Sequence, residues 1–342
     1  MVNKNRLTSA YGWLTLEIWL LIALGGGVRA MNAGLACPDW PLCFGDMIPD
    51  YHPQVYFEFV HRAMAGMVGI VSLVLAILVW RSREINRSLK WLAFGSLLLL
   101  AAQIVLGGLT VLWLLHDKVV VGHLMLAAGF LGLNLWMYLS LKLQSGDNKS
   151  QKLPGSSSHD QGENITVATI TKGFAAATVV MLLVVIGQMT LGGLVASNYA
   201  ALVCSEFPLC HGKFIPTLSG ALGLHIMHRL GAYTTMLVVL LLGAWAWRAR
   251  LDLSVRKNMM WMVTVVIWQM GVGIANVLFF TPPLITVIHL ASGMALLGLA
   301  VKQLFLVRSQ LGRTTTKITE KIEWAHLTPF RGPRNLVKGR PN

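Results

Sequence analysis

Eight stretches of this chain, near residues 11–29, 57–80, 91–115, 118–141, 169–196, 222–247, 258–280 and 283–307, are apolar over a length that leaves few folds open. A helix needs about 20 mostly apolar residues to cross the hydrocarbon core of a bilayer. In lipid every backbone N–H and C=O must find its partner inside the protein, so only helices and closed barrels span. Barrel strands alternate apolar and polar residues, and these runs do not. The expected fold is all-α and integral to a membrane, with eight transmembrane helices. Composition agrees: 55% of the 342 residues are hydrophobic and 12% are charged, unlike a soluble domain of this length.

A formal net charge of +14 would suit nucleic acid, but its placement points elsewhere. Arg81, Arg83, Arg87 and Lys90 lie between spans 2 and 3, and Arg248, Arg250, Arg256 and Lys257 between spans 6 and 7. Lys4 and Arg6 precede span 1, and nine Lys/Arg lie from Lys302 onward. The opposite loops hold Asp39, Asp46, Asp50, Asp117 and Glu206. By the positive-inside rule both termini are expected in the cytoplasm. The basic face then marks topology, with some attraction to anionic membrane lipid, and nucleic acid is not an expected partner. No cleaved signal or transit peptide is recognisable. The first span is expected to act as its own insertion signal, which favours a bacterial cytoplasmic membrane.

Two short loops, "ACPDWPLCFG" at 36–45 and "VCSEFPLCHG" at 203–212, hold the only four cysteines. Cys37 and Cys43 fall on Cys204 and Cys210 when the chain is slid over itself by 167 positions. "LGGGVRA" (24–30) then falls on "LGGLVAS" (191–197), and "HRAMAG" (61–66) on "HRLGAY" (228–233). With one residue deleted, Gln103 falls on Gln269 and "VGHLMLAAG" (121–129) on "VIHLASGMA" (287–295). The chain therefore divides into a first four-helix half at 1–141, a polar, Ser/Gly-rich linker at 142–168, a second half at 169–307 and a basic tail at 308–342. Four spans is an even number, so both copies insert the same way round, as tandem parallel bundles. Both cysteine loops then face the outer side, where such cysteines usually pair. Closing so short a loop stabilises it by roughly 2 kcal/mol. Two structural disulfides, a redox-active pair, and a zinc site drawing on His52 and His211 all remain open at this point.

Four of the ten histidines occupy duplicated positions inside spans: His61 and His123, His228 and His289. Each lies a similar distance from the outer end of its span, so each half presents two imidazoles at matching depth. An ionisable group at membrane depth is a functional candidate. Two facing imidazoles in a four-helix bundle suit the two axial positions of a heme iron. Gly66, Gly69, Gly122 and Gly293 would let helices approach or leave room for a flat macrocycle. Arg62 and Arg229, each following a histidine, would pair with heme propionates. The halves part at "EFVHR" (58–62) against "HIMHR" (225–229), where Glu58 faces His225, and at Arg29, which faces Ala196. Glu58 shares a helix face with His61 and is a candidate general base or stabiliser of positive charge. An ordinary ion pair with Arg62 or Arg29 is the plainer alternative. The first half is expected to carry chemistry and the second a permanent cofactor.

On these motifs, over about 10–307, the sequence resembles the heme A synthase family, membrane enzymes that oxidise a porphyrin methyl group (C8) of heme O to the formyl group of heme A for cytochrome oxidase. The resemblance implies a pair of four-helix bundles, with His228 and His289 ligating a resident heme b. It places His61 and His123 on either side of the substrate heme and makes Glu58 the candidate catalytic acid/base. Cys37 and Cys43 would belong to the loop over the substrate pocket, with Cys204 and Cys210 its counterpart. If His61 and His123 both bind the substrate iron, electron withdrawal followed by water attack is one route. If one binds, an O2-activating route opens. Heme O synthase and an electron acceptor or donor are implied partners, and a homo-oligomer stays open. Two further readings compete: a diheme b-type electron-transfer cytochrome, and a quinone-coupled disulfide-forming enzyme.

Overall fold

The structure, a computed structural model, describes residues 3–150 and 169–327, with side chains described over 3–145 and 169–311. Eight helices follow in order: α1 Lys4–Ala30, α2 Pro53–Arg81, α3 Arg87–Leu112, α4 Asp117–Ser150, α5 Lys172–Ser197, α6 Gly220–Arg248, α7 Leu253–Leu278 and α8 Pro283–Leu327. Each is long and apolar enough to cross a membrane. Among the described residues there is no strand, only isolated bridges at Cys43–Asp46 and Cys210–Lys213.

Helix starts follow from local chemistry. α1, α3, α5 and α7 each begin behind a polar residue whose side chain accepts from a first-turn N–H: Asn3, Asn86, Thr171 and Asp252. Such caps satisfy donors that an apolar helix leaves open. Hydrogen bonds from Ser254, side chain first, hold the Asp252 carboxyl below the usual carboxylate range. α2 begins at Pro53, where the missing N–H costs nothing.

α4 and α8 run past the ends expected at 141 and 307, to Ser150 and Leu327. Helical hydrogen bonding does not stop where apolar side chains do, so hydropathy marks the span and not the helix. The polar segment from 142 thus begins as helix. The remainder of the expected linker, 151–168, and of the basic tail, 328–342, lies outside the described residues.

Within the first half α1 packs on α2 and α4, and α3 on α2 and α4; within the second, α5 packs on α6 and α8, and α7 on α6 and α8. Each half thereby closes a ring of four helices. Between them, α1 packs on α8 and α4 on both α5 and α8. A Cβ added at Gly26 would meet Leu290, and one at Gly193 would meet Leu124. Gly26 and Gly193 are repeat counterparts, as are Leu124 and Leu290. The contact of α1 with α8 is therefore repeated by α5 with α4, partners exchanged, as a two-fold axis between the halves would exchange them. Small residues at these points let the backbones come close.

Candidate functional site

Each of the four histidines lies against a glycine of the helix before it. A Cβ would stand 2.9 Å from the ring of His61 at Gly25, 3.2 Å from His123 at Gly107, 3.0 Å from His228 at Gly192 and 2.9 Å from His289 at Gly273. Any larger residue would push the ring aside, so these glycines fix where the imidazoles stand. The four pairs are themselves duplicated, Gly25 with Gly192 and Gly107 with Gly273. His61 and His228 are each the ninth residue of their helix, and His123 and His289 each the seventh. Gly66, Gly69, Gly122 and Gly293, expected around the histidines, touch none of their rings; beside Gly66 and Gly69 there is open space, Gly122 faces Leu106, and Gly293 faces Gln269.

The ring centres of His228 and His289 are 6.4 Å apart, with the planes at 81°. A metal–imidazole nitrogen bond is about 2 Å, so two imidazoles sharing one iron have centres about 6 Å apart. The pair fits a heme iron held from both faces. In the first half His61 and His123 are electrostatic neighbours. The Nδ1 atoms of His61, His123 and His289 are buried without a hydrogen-bond partner, as befits rings whose orientation is set by packing. Among the described residues no cluster of three or more His, Cys, Asp or Glu could hold a metal ion. Two imidazoles suffice where a porphyrin supplies the other four nitrogens.

Above each histidine pair sits a cysteine loop. Cys37 pairs with Cys43 and Cys204 with Cys210, at Cα separations of 4.8 and 5.5 Å. With all four sulfurs so bonded, the zinc alternative lacks its thiolates. Both loops turn through two left-handed residues, Phe44 (φ 56°) and Gly45 (φ 79°), His211 (φ 50°) and Gly212 (φ 74°). Positive φ at both centres is the demand of a type I′ turn, which explains the glycine two residues after each second cysteine. In the first loop Asp39 accepts from the N–H groups of Phe44 at 2.7 Å and Gly45 at 2.8 Å. These bonds, Gly45 above all, hold its carboxyl below the usual Asp range. Trp40 lies across Gly108 of α3, where a Cβ would stand 3.1 Å from the indole.

The guanidinium groups of Arg62 and Arg229, the candidate propionate partners, lie against loop backbone. Arg62 donates to the carbonyls of Leu42 at 2.7 Å, Asp39 at 2.8 Å and Cys37 at 3.4 Å. Arg229 donates to those of Leu209 at 3.3 Å, Glu206 at 2.7 Å and Cys204 at 3.1 Å. The three carbonyls are counterparts, one for one. Position 58 breaks the match. Glu58 is 4% exposed; one carboxylate oxygen accepts from the Cys37 N–H at 2.9 Å and the other from Arg62. The plainer alternative of an ion pair with Arg62 is therefore present, and it also ties Glu58 to the disulfide loop. His225 is buried too, and its Nδ1 donates to Ala200 O at 3.0 Å, securing the 3-10 turn Ala200–Leu202. Arg29 donates to Ala196 O at 3.1 Å and to Tyr199 Oη at 2.9 Å, with its guanidinium 4.2 Å from the Tyr199 ring centre. It thus joins the halves through the carbonyl of its own counterpart.

Three glutamines complete the surroundings. Gln103 approaches His123 Nε2 at 3.4 Å and Gln269 approaches His289 Nε2 at 3.5 Å, contacts at the edge of hydrogen bonding. Gln188 lies 3.1 Å from His228 Nδ1. The repeat had paired Gln103 with Gln269, but nothing in the linear sequence joined any glutamine to a histidine.

This is a multi-pass membrane protein of duplicated four-helix halves, each presenting two glycine-backed imidazoles beneath a disulfide loop. The chain belongs to the cytochrome oxidase assembly protein family (COX15-CtaA), which matches residues 11–301. It is 29% identical over 330 residues to the heme A synthase of Shewanella oneidensis, an overlap covering 84% of this chain and 92% of that one. It is 31% identical over 277 residues to the heme A synthase of Shouchella clausii, covering 79% and 86%. To that of Halalkalibacterium halodurans it is 29% identical over 294 residues, covering 83% and 92%.

Proposed function

We propose that this chain is a heme A synthase, which oxidises the C8 methyl group of heme O to a formyl group. His228 and His289 are the axial ligands of a resident heme b. His61 and His123 flank the iron of the substrate, and Glu58 is the catalytic acid/base beside it. The observation that carries this reading is the 6.4 Å spacing of the His228 and His289 rings, repeated in plan by a second pair that has a buried carboxylate one helical turn away. Heme b, when bound, supplies one-electron transfer.

Going from methyl to formyl removes four electrons and brings in one oxygen atom, from water or O2. The proton lost from the methyl carbon needs an acceptor, and Glu58 is the carboxylate on that helix face. The Cys37 N–H and Arg62 fix where its two oxygens stand. Trp40 and the first disulfide loop would cover the outer side of the heme O site. The protein would sit in a bacterial cytoplasmic membrane with both termini cytoplasmic, the orientation that the basic residues between spans 2 and 3 and between spans 6 and 7 favour. Heme O synthase would deliver substrate, an electron acceptor or donor would serve turnover, and further copies of the chain would be the partners in any oligomer.

Extraction of pigment from the purified protein, followed by chromatography, tests the reading. Heme b together with heme O, its hydroxymethyl form or heme A should be recovered. Heme b alone, in a protein that leaves added heme O unchanged, would instead make it an electron-transfer cytochrome.

A further inference from the structure

On the side away from the cysteine loops, α1, α4 and α8 line a groove of about 840 Å³, within the range of about 300–1,000 Å³ usual for a small-molecule site. Its walls are mostly apolar, yet Ser9, Trp13, Thr15, Trp19 and Tyr138 face it, with Lys142 at one end. The repeat shows how unusual that lining is. The counterparts of the first five are Ala176, Val180, Leu182, Ile186 and Leu304, all aliphatic, while the counterpart of Lys142 is Arg308. A positive charge on the basic face is thus common to both halves, and the rings and hydroxyls belong to the first alone.

Tyr138 is seated as the histidines are. A Cβ at Gly12 would stand 3.2 Å from its ring, and the counterpart of Gly12 is Val179. Lys142 Nζ donates to Tyr138 Oη at 3.4 Å and lies 5.6 Å from the ring centre. Among the described residues no carboxylate pairs with Lys142. Trp13 is 66% exposed, so the groove is open along one flank, to lipid in a chain that spans a membrane. At the other end Trp19 donates its indole N–H to Ala291 O at 2.9 Å, two residues beyond His289 on α8. Gly298, also in the lining, is nine residues from His289, about 14 Å along the helix.

A ligand suited to this groove enters from lipid, has an apolar tail, lays a flat ring among three aromatic side chains, and offers oxygen atoms to Lys142 and Tyr138. A phospholipid meets the charge but has no ring, and Arg308 would serve it as well in the second half.

We infer that the groove binds a membrane quinone, with its ring among Trp13, Trp19 and Tyr138 and an oxygen at Lys142, and that this quinone is the electron partner of the oxidation. The inference rests on the heme A synthase reading and names the class of partner which that reading leaves open. With water as the oxygen source, one methyl group and one water give the formyl group, while two quinones each take up two electrons and two protons to become quinols. With O2 as the source, two quinols each give up two electrons and two protons, two O2 are consumed and three waters form. Trp19 stands between the ring and the turn of α8 that carries His289.

The test uses purified full-length protein, a decyl-chain quinone and its quinol, and a photoreactive azidoquinone as probe. Crosslinks should fall on the peptides of α1 and α4 that line the groove, and the quinone–quinol couple should exchange electrons with heme b in stopped-flow spectra. Lys142→Met should weaken quinone binding about 10-fold or more, as loss of a charged hydrogen-bond partner does. Tyr138→Leu and Trp13→Val should each weaken it about 2- to 10-fold, the value of one aromatic contact. Electron exchange should slow in the same order with heme content unchanged, and Leu304→Ala, at the matched place in the second half, should alter neither. Crosslinks that spare the groove, or wild-type affinity in all three variants, would overturn the inference. So would native mass spectrometry that finds phospholipid held there and not displaced by the quinone. Quinone bound in the groove of a wild-type protein without b-type heme would overturn the heme reading and leave the binding site standing. Heme b present with no quinone bound would do the reverse.

Discussion

The two cysteine loops are held by the same device and stand over different residues. In each, an arginine one residue beyond a membrane histidine gathers three matched loop carbonyls. In each, a left-handed turn closes the second cysteine and a glycine backs the histidine ring. Below the first loop lies Glu58, bonded to the Cys37 N–H; below the second lies His225, bonded to the carbonyl of Ala200. Gln188 lies 3.1 Å from His228 Nδ1, and its repeat counterpart is Leu21. What the halves share is fastening, and what they do not share lies next to the imidazoles. A duplicated scaffold can be turned to two uses by changing a few side chains around an unchanged frame, and the proposed function assigns the first half to turnover and the second to a fixed cofactor.

The sharpest way to break this comparison is to make position 58 neutral. Glu58→Gln keeps shape and one acceptor but removes the base, and loss of a general base typically costs 10²- to 10⁴-fold in rate. Heme A should fall by that order while heme O or its hydroxymethyl form accumulates and heme b stays bound. His225→Gln, at the matched position, should leave heme A yield close to wild type. Equal yields from the two variants, read by heme chromatography, would erase the distinction.

The glycines behind the rings sharpen it further. Overpacking a close-fitted site costs about 1–3 kcal/mol, roughly 5- to 150-fold in affinity. Gly273→Ala should therefore deplete heme b, whereas Gly25→Ala should spare heme b and slow heme O turnover. The pyridine hemochrome ratio to protein, with a turnover assay beside it, separates the two. A smaller effect is expected at the disulfides: Cys204→Ser with Cys210→Ser should lower stability by roughly 2 kcal/mol, the value of closing so short a loop. Mass spectrometry of the unreduced wild-type protein should find one crosslink within each loop and none between loops.

The smallest effect concerns Asp39. Its folded carboxyl titrates below the ordinary Asp value, so the loop's gain is fully present above that value and fades as pH falls through the lowered one. Hydrogen exchange at the Phe44 and Gly45 amides should be faster in Asp39→Asn at neutral pH. The two proteins should converge in acid below the ordinary Asp range. A difference that widens in acid would reverse the sign of this assignment.

Hydropathy made the eight spans legible, because lipid leaves the backbone no alternative to helix. The duplicated cysteines and histidines made the candidate site's residues stand out, since repetition separates a pattern from chance. Helix ends beyond the apolar runs were hidden, because Ser150 and Leu327 lie in polar sequence that a helix enters freely. The glycines behind the rings were hidden for another reason. Gly25 and His61 meet only once α1 and α2 are packed, and attention to glycines near the histidines in sequence led to Gly66 and Gly122 instead. The role of Arg62 depended on where three loop carbonyls converge, which spacing alone does not reveal.

The division of labour between the halves is tested most directly by identifying the heme retained by four purified variants: His61→Met, His123→Met, His228→Met and His289→Met. The first two should keep heme b and its low-spin spectrum while failing to hold or convert heme O. The last two should lose heme b or change its spectrum. Retention of an unchanged b-type spectrum in both His228→Met and His289→Met, or its loss from His61→Met and His123→Met as well, would contradict the assignment of one half to the cofactor and the other to the substrate.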